Sequence, residues 1–154
     1  MIRIANLSDI AKITDIHKQL HQFHCDIEPE TYTMPDNEFF SDFLMSALGN
    51  ENCEIFIYED NGVIKGYALI TKMLRDTPLK IRKNVCFVEQ LAVSEKYRRQ
   101  GIGTELLTFI KTYAKDNNFD VLKIGVRAEN KNAYKLYEKM GFEPQLINME
   151  IKLK

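Results

Sequence analysis

Between Val88 and Leu107 the chain reads Val-Glu-Gln-Leu-Ala-Val-Ser-Glu-Lys-Tyr-Arg-Arg-Gln-Gly-Ile-Gly-Thr-Glu-Leu-Leu, a stretch whose residue types could hold an anion. An apolar, β-branched run enters a basic turn with two glycines, and apolar residues at Ile102, Leu106, Leu107 and Ile110 then keep helical spacing. The pattern predicts strand, loop, helix. The first N–H groups of such a helix have no intrahelical partner and its dipole adds partial positive charge, so a phosphate group satisfies both. Gly101 and Gly103 lack a Cβ and let the main chain close on a diphosphate, while Arg98 and Arg99 supply charge. The spacing is neither the Gly-x-x-x-x-Gly-Lys-Ser/Thr of a nucleotide-hydrolysing loop nor the full Gly-x-Gly-x-x-Gly of a dinucleotide fold.

The stretch resembles the acetyl-CoA signature of the GNAT N-acetyltransferase superfamily, Gln/Arg-x-x-Gly-x-Gly/Ala, met by Arg98, Gly101 and Gly103. Downstream, Asn130, Ala133, Leu136, Tyr137, Lys139, Gly141 and Phe142 resemble the family's Asn-x-x-Ala-x-x-Leu-Tyr-x-Lys-x-Gly-Phe pattern. The resemblance in motif covers roughly the C-terminal half. It implies a single α+β domain over 1–154, with a mixed, mostly antiparallel sheet of six to seven strands and about four helices. It also implies transfer of an acetyl group from acetyl-CoA to the primary amine of a small molecule, by direct attack in a ternary complex. Peptide N-terminal amines are an alternative acceptor, and a module that senses acetyl-CoA without catalysis is a reading of another class.

Residue by residue, the resemblance gives the diphosphate to the loop Arg98, Arg99, Gln100, Gly101, Ile102, Gly103 and Thr104. The pantetheine arm is expected along Leu91, Ala92 and Val93, as an added strand, with Asn130 and Ala133 on the far side. A main-chain N–H near Leu91 would polarise the thioester carbonyl. Tyr137 stands where the family places its general acid, and a phenol near pKa 10 can protonate a thiolate near 8.5 as the C–S bond breaks. Packing, or a grip on CoA, would also account for Tyr137.

The amine must lose a proton, and Glu89 is the side chain to take it. Strand alternation groups Glu89 with Leu91 and Val93 on one face, where a carboxylate needs a reason to be. This Glu-x-Leu-x-Val order is similar to that of the diamine and polyamine acetyltransferases. An ion pair between Glu89 and a loop cation, with water as the base, is the competing account. Glu28, Glu30 and Tyr32 lie in a Pro-containing connector that borders the acceptor site in this family, so they could grip a cationic substrate or line a solvated loop. Arg75 and Tyr58 are further pocket residues to consider.

His17, His21 and His24 share one helical segment, yet no Glu or Cys completes a metal-ligand set, so a partly exposed polar edge is expected and no metal. His24, near the helix end, could face the pocket. Cys25, Cys53 and Cys86 are odd in number and widely spaced, which points to neither a disulfide framework nor a zinc site. Cys86 has no paired His to make it an acyl carrier.

The elements that must position these residues follow from the pattern. A short strand from Ile2 to Ala5 leads into a helix from about Ser8 to His24, and Phe39 to Leu48 forms a second helix. Cys53 to Glu59 and Val63 to Met73 pair about the turn Asp60-Asn61-Gly62. Asp76 to Lys83 reads as a loop, Asn84 to Val93 as the central strand, and Gly101 to Asn117 as a helix. A strand from Val121 to Val126, a helix from Asn132 to Met140 and a final strand from Ile147 to Leu153 complete the order. The 21 basic and 22 acidic side chains nearly cancel, so no global pull toward nucleic acid or an anionic membrane is implied. No apolar run approaches the roughly 20 residues of a membrane span, and the expected setting is cytoplasmic. C-terminal edge strands often pair between copies in this family, which allows a homodimer.

Overall fold

The structure is a computed structural model and describes residues Met1–Lys154. Five strands form one sheet in chain order: β1 (Ile2–Ile4), β2 (Cys53–Asp60), β3 (Val63–Thr77), β4 (Lys80–Val93) and β5 (Val121–Ile124). The first three pairings are antiparallel and β4 with β5 is parallel. Helices α1 (Ile10–Ile27) and α2 (Asn37–Leu48) cover one face, and α3 (Ile102–Asp116) covers the other. A fourth helix, α4 (Lys131–Lys139), follows β5.

Two cores result from strand alternation. Ile13, Leu44, Ile55, Ile57, Tyr67 and Leu69 pack on the α1 and α2 side, while Phe56, Ala68, Ile70, Cys86, Val88 and Ile110 pack beneath α3. Leu106, Leu107 and Ile110 are almost wholly buried. Each such side chain contributes about 1.5–3 kcal/mol, enough together to fix α3 on the sheet. Gly66 lets it come close. A Cβ there would stand 2.9 Å from the Ala92 carbonyl oxygen and 3.2 Å from Ile102 Cγ2, so a side chain on β3 would push the first turn of α3 outward.

Three expectations change. The sheet has five strands rather than six to seven, because Ile147–Leu153 pairs with nothing; its apolar residues Ile147, Met149, Ile151 and Leu153 are at least 77% exposed. Alternation chooses the face a segment would show, whereas a ladder partner makes it a strand. The segment 76–83 is the tip of a long hairpin, with Thr77 opposite Lys80 across a Pro78-Leu79 turn; its charges project into solvent from paired backbone. The middle strand is therefore β3, with β4 beside it.

Candidate active site

The last rung joining β4 and β5 is Val88 with Ile124. Beyond it the strands part, and a cleft of about 1060 Å³ opens between Glu89, Gln90, Leu91 and Val93 on one wall and Gly125, Val126 and Arg127 on the other. Main-chain groups of β4 that would have bonded to β5 are left without a strand partner along this wall. An extended ligand can take that place as an added strand. The cleft lies outside the carboxyl ends of two parallel strands, where open sheets with helical crossovers bind ligands.

At one end of the cleft sits the start of α3. Asn6, Asp36 and Asn130 each cap a helical segment with a side-chain oxygen, whereas Gly101 at the start of α3 has no side chain to do so. Arg99 has φ 61° and Gly101 φ 82°, so the chain turns through two left-handed residues before the helix begins. Gly101, without a Cβ, takes that conformation at little cost, whereas Arg99 is strained by it. The N–H groups of the first turn face no intrahelical acceptor, and the first α-helical bond runs from Glu105 N to Gly101 O, 2.9 Å. Arg98, Arg99, Gly101, Ile102, Gly103 and Thr104 all line the cleft. Arg98 is held there by Nε, which donates to Val93 O at 3.3 Å. Gln100 is exposed on the turn and lies outside the cleft wall.

Glu89 is placed by a bulge. Ile70 pairs with Val88 and Leu69 with Gln90, so Glu89 is the extra residue and faces no partner on β3. This corrects the expected alternation: Val88 and Leu91, three apart, pack on the α3 side, while Gln90 and Ala92 belong to the opposite face. Glu89, Leu91 and Val93 all reach the cleft. Ala92 is buried in the α1-side core instead of lining the main cleft. Gln90 Oε1 accepts from Tyr67 Oη at 2.6 Å, and its Nε2 meets His17 Nε2 at 2.9 Å. His17 is 5% exposed between Phe40, Phe43 and Tyr67, not on the polar edge expected from sequence, and burial holds it down to about 4.

The connector after α1 departs further from expectation. Glu28 is buried and takes Arg127 Nε on Oε2 at 2.7 Å and Arg127 Nη2 on Oε1. Glu30 pairs with Lys152 on the surface. Neither carboxylate lines the cleft, so neither is presented there to a cationic substrate. Tyr32 and His24 do line it. Their rings lie 5.3 Å apart at 32°, and the Arg127 guanidinium lies over Tyr32 at 5.7 Å. Burial lowers the pKa of His24 and so favours its neutral form. Arg75 bonds within its hairpin, through Nη2 to Ile81 O, and Tyr58 is on β2; both are away from the cleft.

On the α4 side, Asn130 accepts from Ala133 N at 3.2 Å and so starts the helix while facing the cleft with Ala133 and Tyr137. Tyr137 packs edge-on to Phe142, and burial pushes its phenol up to about 12. Cys86 is closed in the core beneath α3, its thiol pushed up to about 11 by burial, and does not reach the cleft. No group of three or more His, Cys, Asp or Glu stands close enough to hold a metal ion. No helix is long and apolar enough to cross a membrane. Gln90, Arg127 and Gly66 went unremarked in the sequence. Arg127 is one cation among 21, and its carboxylate partner is 99 residues away.

Fold and cleft together define an N-acetyltransferase. The chain belongs to the acetyltransferase (GNAT) family, whose model matches residues 17–142. An N-alpha-acetyltransferase of Sulfurisphaera tokodaii is 29% identical over 148 residues, covering 92% of this chain and 79% of that protein. A mutant of the BH1408 protein of Bacillus halodurans has the same fold, with TM-score 0.94 at 22% identity over 100% of this chain and 99% of that one. AAC(6')-Iy, solved with the bisubstrate analogue CoA-S-monomethyl-acetylneamine, superposes with TM-score 0.77 at 18% identity over 100% and 97% of the two chains.

Proposed function

We propose that this enzyme takes acetyl-CoA as donor and the primary amine of a small molecule as acceptor, reacting directly in a ternary complex. The observation that carries the donor assignment is the uncapped start of α3 opening onto the same cleft as the released edge of β4. Amides of Gly101 to Thr104, with Arg98 and Arg99, hold the diphosphate. Leu91 and Val93 offer main-chain groups to the arm and the thioester carbonyl, with Asn130 and Ala133 opposite. The two glycines fit this role. No atom lies within 4 Å of a Cβ built on Gly101, and only Val93 Cγ2 lies near one on Gly103, at 3.9 Å, so the chain leaves that space to a ligand.

The amine nitrogen attacks the thioester carbon, a C–N bond forms and the C–S bond breaks. Glu89, directly or through water, takes the proton lost by nitrogen, and Tyr137 Oη supplies one to the departing sulfur. A phenol near 12 is a weak acid toward a thiol near 8.5, so Tyr137 acts late, as charge collects on sulfur. Support for a small acceptor comes from the cleft's size and from the fold relative's CoA-based bisubstrate analogue. The Sulfurisphaera relative favours a second reading, the N-terminal amine of a peptide. The test is release of free thiol from acetyl-CoA with polyamines, aminoglycosides, amino acids and short peptides. Release with none of them, while CoA itself fails to bind, would overturn the assignment.

A further inference from the structure

We propose that the acceptor is an α-aminoacyl compound whose carbonyl or carboxylate oxygen is taken by Arg127 while its amine faces Glu89; this rests on the acetyl-transfer reading above. From the last rung, Val88 with Ile124, each strand runs three residues further to reach Leu91 on one wall and Arg127 on the other. Arg127 thus stands across the cleft from the stretch expected to present the thioester. It is held in place from two sides, by the two-pronged bond to Glu28 and by the ring of Tyr32. A guanidinium has five N–H donors, and two go to Glu28, which leaves three without a partner in the chain.

Charge selects the class. Glu89 is the sole carboxylate on the cleft wall, against Arg98, Arg99 and Arg127. Once the diphosphate has taken the first two, the remaining pair is Glu89 and Arg127, a negative and a positive group for an acceptor that carries both an amine and a C=O oxygen. A polyamine carries no acceptor for the three free donors of Arg127. Because Glu28 already balances Arg127, a neutral carbonyl is received as well as a carboxylate, and a free amino acid and a peptide N-terminus share the needed chemistry. Tyr32 and His24, their rings tilted at 32°, line the cleft with Glu89 and Arg127 and add no carboxylate.

The test compares kcat/KM for alanine, alaninamide, the dipeptide Ala-Ala and ethylamine, read as thiol release from acetyl-CoA. At least one aminoacyl compound should exceed ethylamine by about tenfold or more, the value of a bond to a charged donor. Preference for alanine assigns the free acid, and preference for alaninamide and Ala-Ala the peptide end. In the double variant Glu28→Gln/Arg127→Gln, which leaves no unpaired charge, the preference over ethylamine should vanish while CoA affinity by calorimetry stays unchanged. Ethylamine equal to the rest, or an equal loss on all four amines in the double variant, overturns this inference. Failure of the wild-type enzyme to bind CoA overturns instead the reading on which it rests.

Discussion

Gln90 ties the bulge to the α1-side core: on the residue after the bulged Glu89, its side chain joins Tyr67 Oη at 2.6 Å and His17 Nε2 at 2.9 Å. A bulge on its own can slip. With its carboxamide fixed between two buried rings, Gln90 pins the register of β4 where Glu89 and Leu91 enter the cleft.

Tyr67→Phe removes the donor and leaves Gln90 Oε1, half-buried on the cleft wall, without its protein partner. Loss of about 0.5–1.5 kcal/mol of unfolding free energy is expected, the net worth of one such hydrogen bond. If the network holds the bulge, kcat should fall while the CoA dissociation constant stays put. Urea denaturation and calorimetry measure the two separately.

His17 makes stability depend on pH. Its folded value near 4 lies below the ordinary 6.5, so between those limits the unfolded chain binds more protons than the folded one. Stability contributed this way is complete above pH 6.5 and declines as pH falls toward 4, by about 3 kcal/mol for a shift of this size. Urea midpoints at pH 7.0, 5.5 and 4.5 should fall in that order. In His17→Phe, which packs with Phe40 and Tyr67 but cannot titrate, the slope across this window should be much smaller.

One glycine in the anion cradle and one beneath it, on β3, fail differently. Gly101→Val puts a β-branched residue at φ 82° with room around it, so the start of α3 should be strained, CoA binding lost and the folded spectrum retained. Gly66→Ala leaves the loop sequence untouched but presses on the Ala92 carbonyl and Ile102. Weakened CoA affinity together with a lower melting temperature is expected, since α3 must move from the sheet. Unaltered affinity in both variants would refute the placement of the diphosphate.

Much of this site could be read from the chain because its parts are local. Arg98, Gly101 and Gly103 fall within six residues, and the helix that follows carries its own apolar period. Tyr137 and Asn130 likewise share one short helix and its cap. Relations across the fold left no such trace. The bulge at Glu89 depends on how β3 meets β4, and the period-two pattern of Val88 to Val93 reads the same with or without it. Glu28 and Glu30 looked free because Arg127 and Lys152 are far away in sequence. The alternating Ile147–Leu153 reads as a strand by composition alone, and only the sheet shows that it has no partner.

Tyr137 and Glu89 can be separated by pH. A phenol near 12 keeps its proton through neutral and mildly alkaline solution, so Tyr137 should add no falling limb to the kcat profile below about pH 10. Tyr137→Phe should lower kcat by about a hundredfold or more, as loss of a general acid does, with acetyl-CoA affinity nearly unchanged. Equal losses in both, or no loss, would instead make Tyr137 a packing partner of Phe142. Glu89→Gln keeps the shape of the bulge but cannot accept a proton. The acidic limb of kcat/KM should then move if Glu89 is the base, and a profile that keeps its shape at reduced height would hand that proton to water, leaving Glu89 to orient the amine.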